Sequence, residues 1–533
     1  MKTTVFSIFL IVVGGTQLAD KELIDHPGQI TADLMTFNSS TGYEEVQKIL
    51  DGKCVSCHSG PAPAKGLELD SWKHILSGSD HGEAVIPFDA ARSLAYEITT
   101  KLVGGPHPLE LGEPVLTDEE TSVLSNWIAE GATSPEGAVA FADAKKLLYV
   151  ANQGDALISV IDMETNVVIR TVDLKELGFS ENSQPHHIAV EPDGSYWYVS
   201  LIGDNTIIKF NRSNNLIGRL NFERPGLLAL DPNSDKLYAG RSMAAVSPPQ
   251  TIGVIDRNTM EFEEMGVFFP RPHALAVEPK SGAVYTASLA VNQIATLYPE
   301  DENIELTTLD GNRMHTLVQF SISPDGQRMA GTTELSSSIF LFDLNEGVTS
   351  NPSDTVLTDA APWHPSFTPD GRWIYAGNNG ANTVSVIDTD SRTLAKTITG
   401  NGLSQPHGSA VSPDGRYVYI SNRNLETPAM QMGGSSRAHM EGYQSRYDLG
   451  DNSSIGTVVV IDTGSHSIVK VIEIEKYGSG LGAARSNYLR FKLAVSQKLD
   501  PYQLAPVGRP TCPDPQKHIR QDESQTHTGN ILL

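Results

Sequence analysis

From residue 139 onward the chain alternates apolar and polar positions in short runs broken by turn residues. The segments IAVEPDGSYWYVS, LALDPNSDKLYAG, LAVEPKSGAVYTA, FSISPDGQRMAGT, PSFTPDGRWIYAG and SAVSPDGRYVYIS share one pattern. Period-two alternation predicts strands, and Pro-Asp-Gly between two of them predicts a tight turn. The turn position recurs at Ala144, Asp193, Asn233, Lys280, Asp325, Asp370 and Asp414, at intervals of about 40 to 49 residues. A third strand in the units ends at pairs such as Ile161-Asp162, Ile255-Asp256, Phe342-Asp343, Ile387-Asp388 and Ile461-Asp462, and a fourth returns. Four antiparallel strands at this period make a propeller blade. Seven units over residues 139–481 predict a seven-bladed all-β propeller. Six or eight blades stay open, because a polar insertion at 424–454, carrying Met430, Met432, His439 and Met440, interrupts the last unit.

The pattern ahead of the repeats is different. The chain begins MKTTVFSIFLIVVGG, with an apolar run over residues 5–13 that is too short to cross a bilayer. It predicts a signal peptide over residues 1–19, and so an exported protein, periplasmic or extracellular, with no stable membrane insertion; an uncleaved N-terminal anchor is the competing reading. Residues 20–133 predict a small all-α domain, 134–138 a linker, and 482–533 an irregular tail that contains Cys512. In the closing helix of the first domain, Thr117 caps a first turn that is acidic from Asp118 to Glu120.

Residues 54–58 read CVSCH, the C-x-x-C-H pattern of covalent haem attachment. Cys54 and Cys57 fall about one helical turn apart, within reach of one macrocycle, and His58 adjoins them as the proximal iron ligand. A redox C-x-x-C or half of a zinc site are the competing readings. Only three cysteines occur in 533 residues, too few for a disulfide framework or a second Cys pair.

The surroundings of the motif, GKCVSCHSGPAPAKGLELDSWKHIL, then AVIPFDAARSLAYEITT and TDEETSVLSNWIAEGA, resemble a c-type cytochrome domain of the planctomycete type over residues 43–133. The resemblance implies a distal methionine just before the last helix. Here that segment reads GGPHPLELGEPVLT, without Met, which leaves His107 as the candidate distal ligand. His81 and an open coordination position are the alternatives. The motifs SPDGRYVYISN and NTVSVIDT resemble YVTN-family propellers. The order of haem domain and propeller is similar to that of the cytochrome cd nitrite reductases, whose propeller carries a second haem.

Several units open with Pro-His or a variant: Pro185-His186-His187, Pro272-His273, Trp363-His364 and Pro406-His407. His186, His273 and His407 each stand seven residues before their turn position, so their imidazoles are expected to converge on the propeller axis. Such a set suits copper, zinc or an iron cofactor better than calcium or magnesium. The competing reading is a repeat signature that merely opens each inner strand. Gly226 replaces the histidine in the third unit, and His315 of the fifth stands ten residues before its turn. Arg224, Arg271, Arg313 and Arg423 lie near the same end, where they could position a small anionic substrate.

With 39 Lys and Arg against 64 Asp and Glu, the net charge of −25 argues against a nucleic-acid partner; the acidity reads as a solvated surface, with steering of a cationic partner as the competing reading, and a redox partner protein is expected. Two functions are expected from these features. One is electron transfer through heme c, with the propeller binding a partner or ligand. The other is a periplasmic oxidoreductase, haem-dependent, with a second metal, haem or substrate on the propeller axis wired to the first haem.

Overall fold

A computed structural model describes residues 42–80, 82–100, 107, 115–299, 303–425, 443–445 and 455–483. The expected signal peptide, His81, Met430, Met432, His439, Met440 and Cys512 lie outside the described residues.

The N-terminal part is helical. Helix α1 (Tyr43–Lys53) buries Tyr43, Val46 and Leu50 along one face and carries Glu44 and Glu45 in its first turn and Lys53 in its last, charges that oppose the helix dipole. Two short helices, α2 (Trp72–Ser77) and α3 (Leu94–Thr100), lead to α4 (Asp118–Ala129). Thr117 and Glu120 form a complete capping box at the start of α4, which satisfies two otherwise orphaned N–H groups. Val46, Leu50, Ile75, Leu124, Trp127 and Ile128 make one core. The indoles of Trp72 and Trp127 donate to the carbonyls of Ala132 and Thr133 at 2.8 and 2.9 Å, tying the exit of α4 to the rest.

Among the described residues, 28 strands follow and form seven four-stranded antiparallel sheets. The expected seven-bladed all-β propeller is therefore the observed architecture. The turn chemistry follows the sequence. Gly194, Gly326, Gly371 and Gly415 take φ of +70°, +72°, +72° and +75°, which a side chain would resist. The preceding aspartates accept from backbone N–H groups two residues on: Asp193 from Ser195 at 3.0 Å, Asp370 from Arg372 at 3.0 Å and Asp414 from Arg416 at 3.1 Å. Asp162, Asp256, Asp388 and Asp462 cap the next turn by accepting from backbone N–H groups two or three residues on.

Seven strands line the centre: β4 (Pro185–Val190), β8 (Pro225–Leu230), β12 (Pro272–Val277), β16 (Leu317–Ile322), β20 (Pro362–Phe367), β24 (Pro406–Val411) and β28 (Gly478–Ala483). Each touches the next, and β28 touches β4, so the ring is closed. The closure differs from the repeat pattern. The first unit has no inner strand of its own near residue 139; β28 fills that place and pairs with β1 (Leu147–Asn152). The sheet order β28, β1, β2 (Leu157–Asp162), β3 (Val167–Asp173) joins both ends of the repeat array in one blade.

The helical part docks on the rim of that blade. Ile86 shares a core with Leu148, Val150, Ile161 and Val168. Glu83 accepts from the N–H of Val168 at 3.2 Å, on the outer strand β3 (Val167–Asp173). Arg92 reaches Asp89 at 2.9 Å, Asp173 at 3.5 Å and Glu475 at 3.3 Å, the last on β27 (Ser467–Lys476) of the neighbouring blade. Arg170 donates to the carbonyl of Ala140 at 2.9 Å and stacks over the Phe88 ring.

Candidate functional sites

The first candidate site begins where α1 ends. The N–H of Cys54 donates to Leu50 at 2.8 Å, and the N–H groups of Cys57 and His58 donate to the carbonyl of Cys54 at 3.1 and 3.0 Å. One tight turn therefore presents Cys54, Cys57 and His58 together. Neither Cys54 nor Cys57 is in a disulfide. Burial pushes the Cys54 thiol up to about 11, the opposite of the depressed thiol that a redox C-x-x-C needs. The Nδ1 atom of His58 is buried without a hydrogen-bond partner. The ring of His107 lies 6.0 Å from that of His58 between centroids, at an interplanar angle of 36°. Metal–imidazole bonds of about 2 Å place two rings that flank one ion at centre separations of roughly 6 Å. Two neighbouring free thiols and two facing imidazoles are a donor set that would suit a thioether-bound haem.

The second candidate site lies on the propeller axis. Almost every inner strand opens with a register shift: Pro185/Ile188 in β4, Pro225/Leu228 in β8, Pro272/Ala274 in β12, Trp363/Ser366 in β20 and Pro406/Ser409 in β24. Such an irregularity re-aims a side chain. Of the expected set, His186 and His407 come together, with ring centroids 5.3 Å apart. His364 joins them at 4.6 Å from His407, and His187 lies 5.8 Å from His364. His364 stands one place later in its strand than the others, which hid it from an alignment on the turn. It takes φ +26° within the register shift of β20.

His273 Nδ1 donates to the carbonyl of Val318 at 2.7 Å, and its ring lies near enough to His186 and His364 to act on both electrostatically. His315 is directed elsewhere, with Nδ1 2.8 Å from the Ser336 hydroxyl. A histidine at position 226 has no room, because a Cβ there would lie 2.6 Å from the carbonyl oxygen of Arg241.

Close approach of the backbones also depends on glycine in the closing strand. A Cβ on Gly480 would lie 2.3 Å from the carbonyl oxygen of His186. Its neighbour Ser479 places a hydroxyl 3.1 Å from His186 Nδ1, and Gln153 Oε1 lies 3.4 Å from the same atom. These two polar partners had no signal in the repeat pattern. Burial holds His186, His364 and His407 well below the usual histidine range, reinforced by neighbouring imidazoles and by Arg423. His273 is pushed down to about 4, again chiefly by burial. The axis therefore carries neutral imidazoles at pH 7. Arg423 lies over the rings of Trp363 and Tyr477 at 4.7 and 4.5 Å. Arg271 donates to the carbonyl of Met243 at 2.6 Å, and Arg313 to that of Leu335 at 3.0 Å.

The sites are separate. The helical part makes its polar contacts with the outer strands β3 and β27, whereas the axial histidines open inner strands. A third cluster, Glu68, Asp70 and His74, has its donor atoms within 4.8 Å of one another. It is an exposed ion pair in which His74 lies 2.9 Å from Glu68 and 2.5 Å from Asp70. Among the described residues no helix is long and apolar enough to cross a membrane.

Comparison with known proteins supports the propeller. A family model described as "Lactonase, 7-bladed beta-propeller" matches residues 221–430. No curated protein matches the sequence. Among solved structures, a functionally unknown protein from Desulfotomaculum acetoxidans DSM 771 is similar at 13% identity and a TM-score of 0.50, covering 64% of this chain and 99% of that one. The dihydro-heme d1 dehydrogenase NirN in complex with DHE is similar at 13% identity and 0.43, covering 84% and 100%. Kuenenia stuttgartiensis hydrazine synthase is similar at 16% identity and 0.44, covering 57% and 90%.

Proposed function

We propose that this chain is an exported c-type cytochrome that transfers electrons through one covalently bound haem, with the propeller as its partner- or ligand-binding domain. The observation that carries the reading is the single turn holding Cys54, Cys57 and His58 beside the ring of His107. Cys54 and Cys57 would hold the macrocycle through thioethers, and His58 and His107 its iron. The group supplies one-electron chemistry when bound. The chain's own contribution is a low-dielectric setting, with Cys54, Val55, Leu67, Tyr96 and Val115 against the helical core. An axial histidine in place of methionine lowers the potential, which suits low-potential donors. The acidic surface favours a basic redox partner.

The test is a spectroelectrochemical titration of the full-length protein expressed with haem-attachment machinery. A single one-electron wave with a low-spin c-type spectrum is expected, and its absence overturns the reading.

A second reading, an oxidoreductase working at the propeller axis, is favoured by one observation. His186 Nε2, His273 Nε2, His407 Nδ1 and Trp363 Nε1 are buried there without hydrogen-bond partners, and orphaned buried groups of this kind cost about 1 to 3 kcal/mol each. Replacing His186, His273 and His407 together is expected to abolish turnover under this reading while haem reduction persists. Turnover that survives the replacement removes it.

A further inference from the structure

We propose that the propeller axis binds one first-row transition-metal ion of the copper–zinc class through the imidazoles of His186, His364 and His407. The inference concerns a site distinct from the haem motif and stands whether or not that motif is loaded.

Geometry is the first argument. Three imidazoles around one ion, each bonded at about 2 Å, have ring centres roughly 5 to 6 Å apart. The 5.3 Å between His186 and His407 lies in that range, and the 4.6 Å between His364 and His407 is shorter, so those two rings part slightly on binding. The backbones reach this spacing because β28, which runs between β4 and β24, is rich in glycine.

Unmet bonding capacity is the second. His186 Nε2 and His407 Nδ1 are buried and have no protein partner. Orphaned nitrogens are rare in folded chains, and two belong to neighbouring rings of one cluster. On His186 the opposite nitrogen lies beside Ser479 and Gln153, the outer-shell arrangement that orients a metal-binding imidazole.

Strain is the third. His364 is a non-glycine residue at φ +26° inside a strand irregularity, a strained backbone state of the kind that clusters at binding sites.

The donor chemistry selects the class. The three ligands are imidazoles without a carboxylate among them, which disfavours calcium and magnesium. Arg423 raises the cost of added positive charge, which favours monovalent copper within the class. The donor nitrogens are not already drawn together: among the described residues only Glu68, Asp70 and His74 meet a 4.8 Å limit. Capture therefore requires the imidazoles to turn about their Cβ–Cγ bonds, which moves the nitrogens inward and leaves the ring centres nearly in place.

The experiment uses full-length protein stripped with chelator, then incubated separately with zinc(II) and with copper under ascorbate. After desalting, metal per polypeptide is measured by elemental analysis, and the haem absorption of each sample is recorded. One equivalent of copper or zinc is expected beyond haem iron. It is expected to fall at least tenfold in His364→Gln and His407→Gln and to persist in His74→Gln, with circular dichroism melts confirming the fold. A wild-type protein that retains no stoichiometric copper or zinc overturns the proposal without recourse to any variant. Folded variants that retain as much as wild type overturn it equally. Metal retained without haem refutes the cytochrome reading alone, and haem without metal refutes this one alone.

Discussion

The rings of His58 and His107 lie 6.0 Å apart between centroids although they come from separate segments, one following α1 and one preceding α4. That spacing is what two axial imidazoles on one iron require. His107→Ala is therefore expected to leave haem attached through Cys54 and Cys57 but to open a coordination position. The ferrous variant gains carbon monoxide binding that wild type lacks, and its reduction potential changes. A variant with an unaltered spectrum and no carbon monoxide binding would place the distal ligand elsewhere.

Before haem is attached, the two thiols are expected to differ. Burial raises Cys54 to about 11, whereas Cys57 is exposed. At pH 8 the thiolate fraction of Cys54 is small, so its alkylation by iodoacetamide in the folded apoprotein is expected to be at least tenfold slower than that of Cys57. Peptide mass spectrometry measures both rates. Equal rates would mean that the turn after α1 is open to solvent.

The junction between the helical part and the propeller carries two carboxyls held unusually protonated. Burial raises Glu83 to about 7, with Lys470 and Glu473 the charged groups facing it. Glu475 is also raised to about 7, again chiefly by burial, with Arg92 opposing and Asp155, Glu97 and Asp89 reinforcing the shift. Because the folded-state values exceed the ordinary one, the folded protein binds the extra protons. Their stabilisation is complete below the ordinary glutamate range and is lost as pH rises towards and through 7. Glu83→Gln keeps the acceptor for Val168 and removes the titration. The variant is expected to melt a few degrees above wild type at pH 8 and to match it, or fall below it, at pH 5. A difference independent of pH would show that Glu83 does not titrate there.

Gly480 allows the closing strand to lie against β4. In Gly480→Ala the new methyl would meet the His186 carbonyl oxygen at 2.3 Å and His187 Cα at 2.7 Å, both backbone atoms that cannot swing aside. A loss of about 1–3 kcal/mol is expected, as for other overpacked sites, measured by urea denaturation. A neutral result would mean that the inner ring can widen.

Much of the propeller was legible because its signals are local. Asp193, Asp370 and Asp414 bond the backbone of their own turns, and Gly194, Gly371 and Gly415 supply positive φ at fixed offsets. The closing strand was not legible, since Gly478–Ala483 has neither the alternation nor the turn of the repeats and is defined by pairing with a strand at the far end of the array. At the axis, His186 and His407 were readable from their common offset, but His364 reaches the cluster through a strand irregularity that shifts it by one place. Gln153 and Ser479 approach His186 only after ring closure. The C-x-x-C-H turn was legible as a motif, whereas the approach of His107 depends on tertiary packing.

The central claim is covalent haem on Cys54 and Cys57. The most direct test is intact-protein mass spectrometry of chain expressed with haem-attachment machinery and then extracted with acidified acetone. The account predicts that wild type keeps the mass of one haem through extraction and that Cys54→Ser combined with Cys57→Ser keeps none. A wild-type chain at the mass of the bare polypeptide would contradict it.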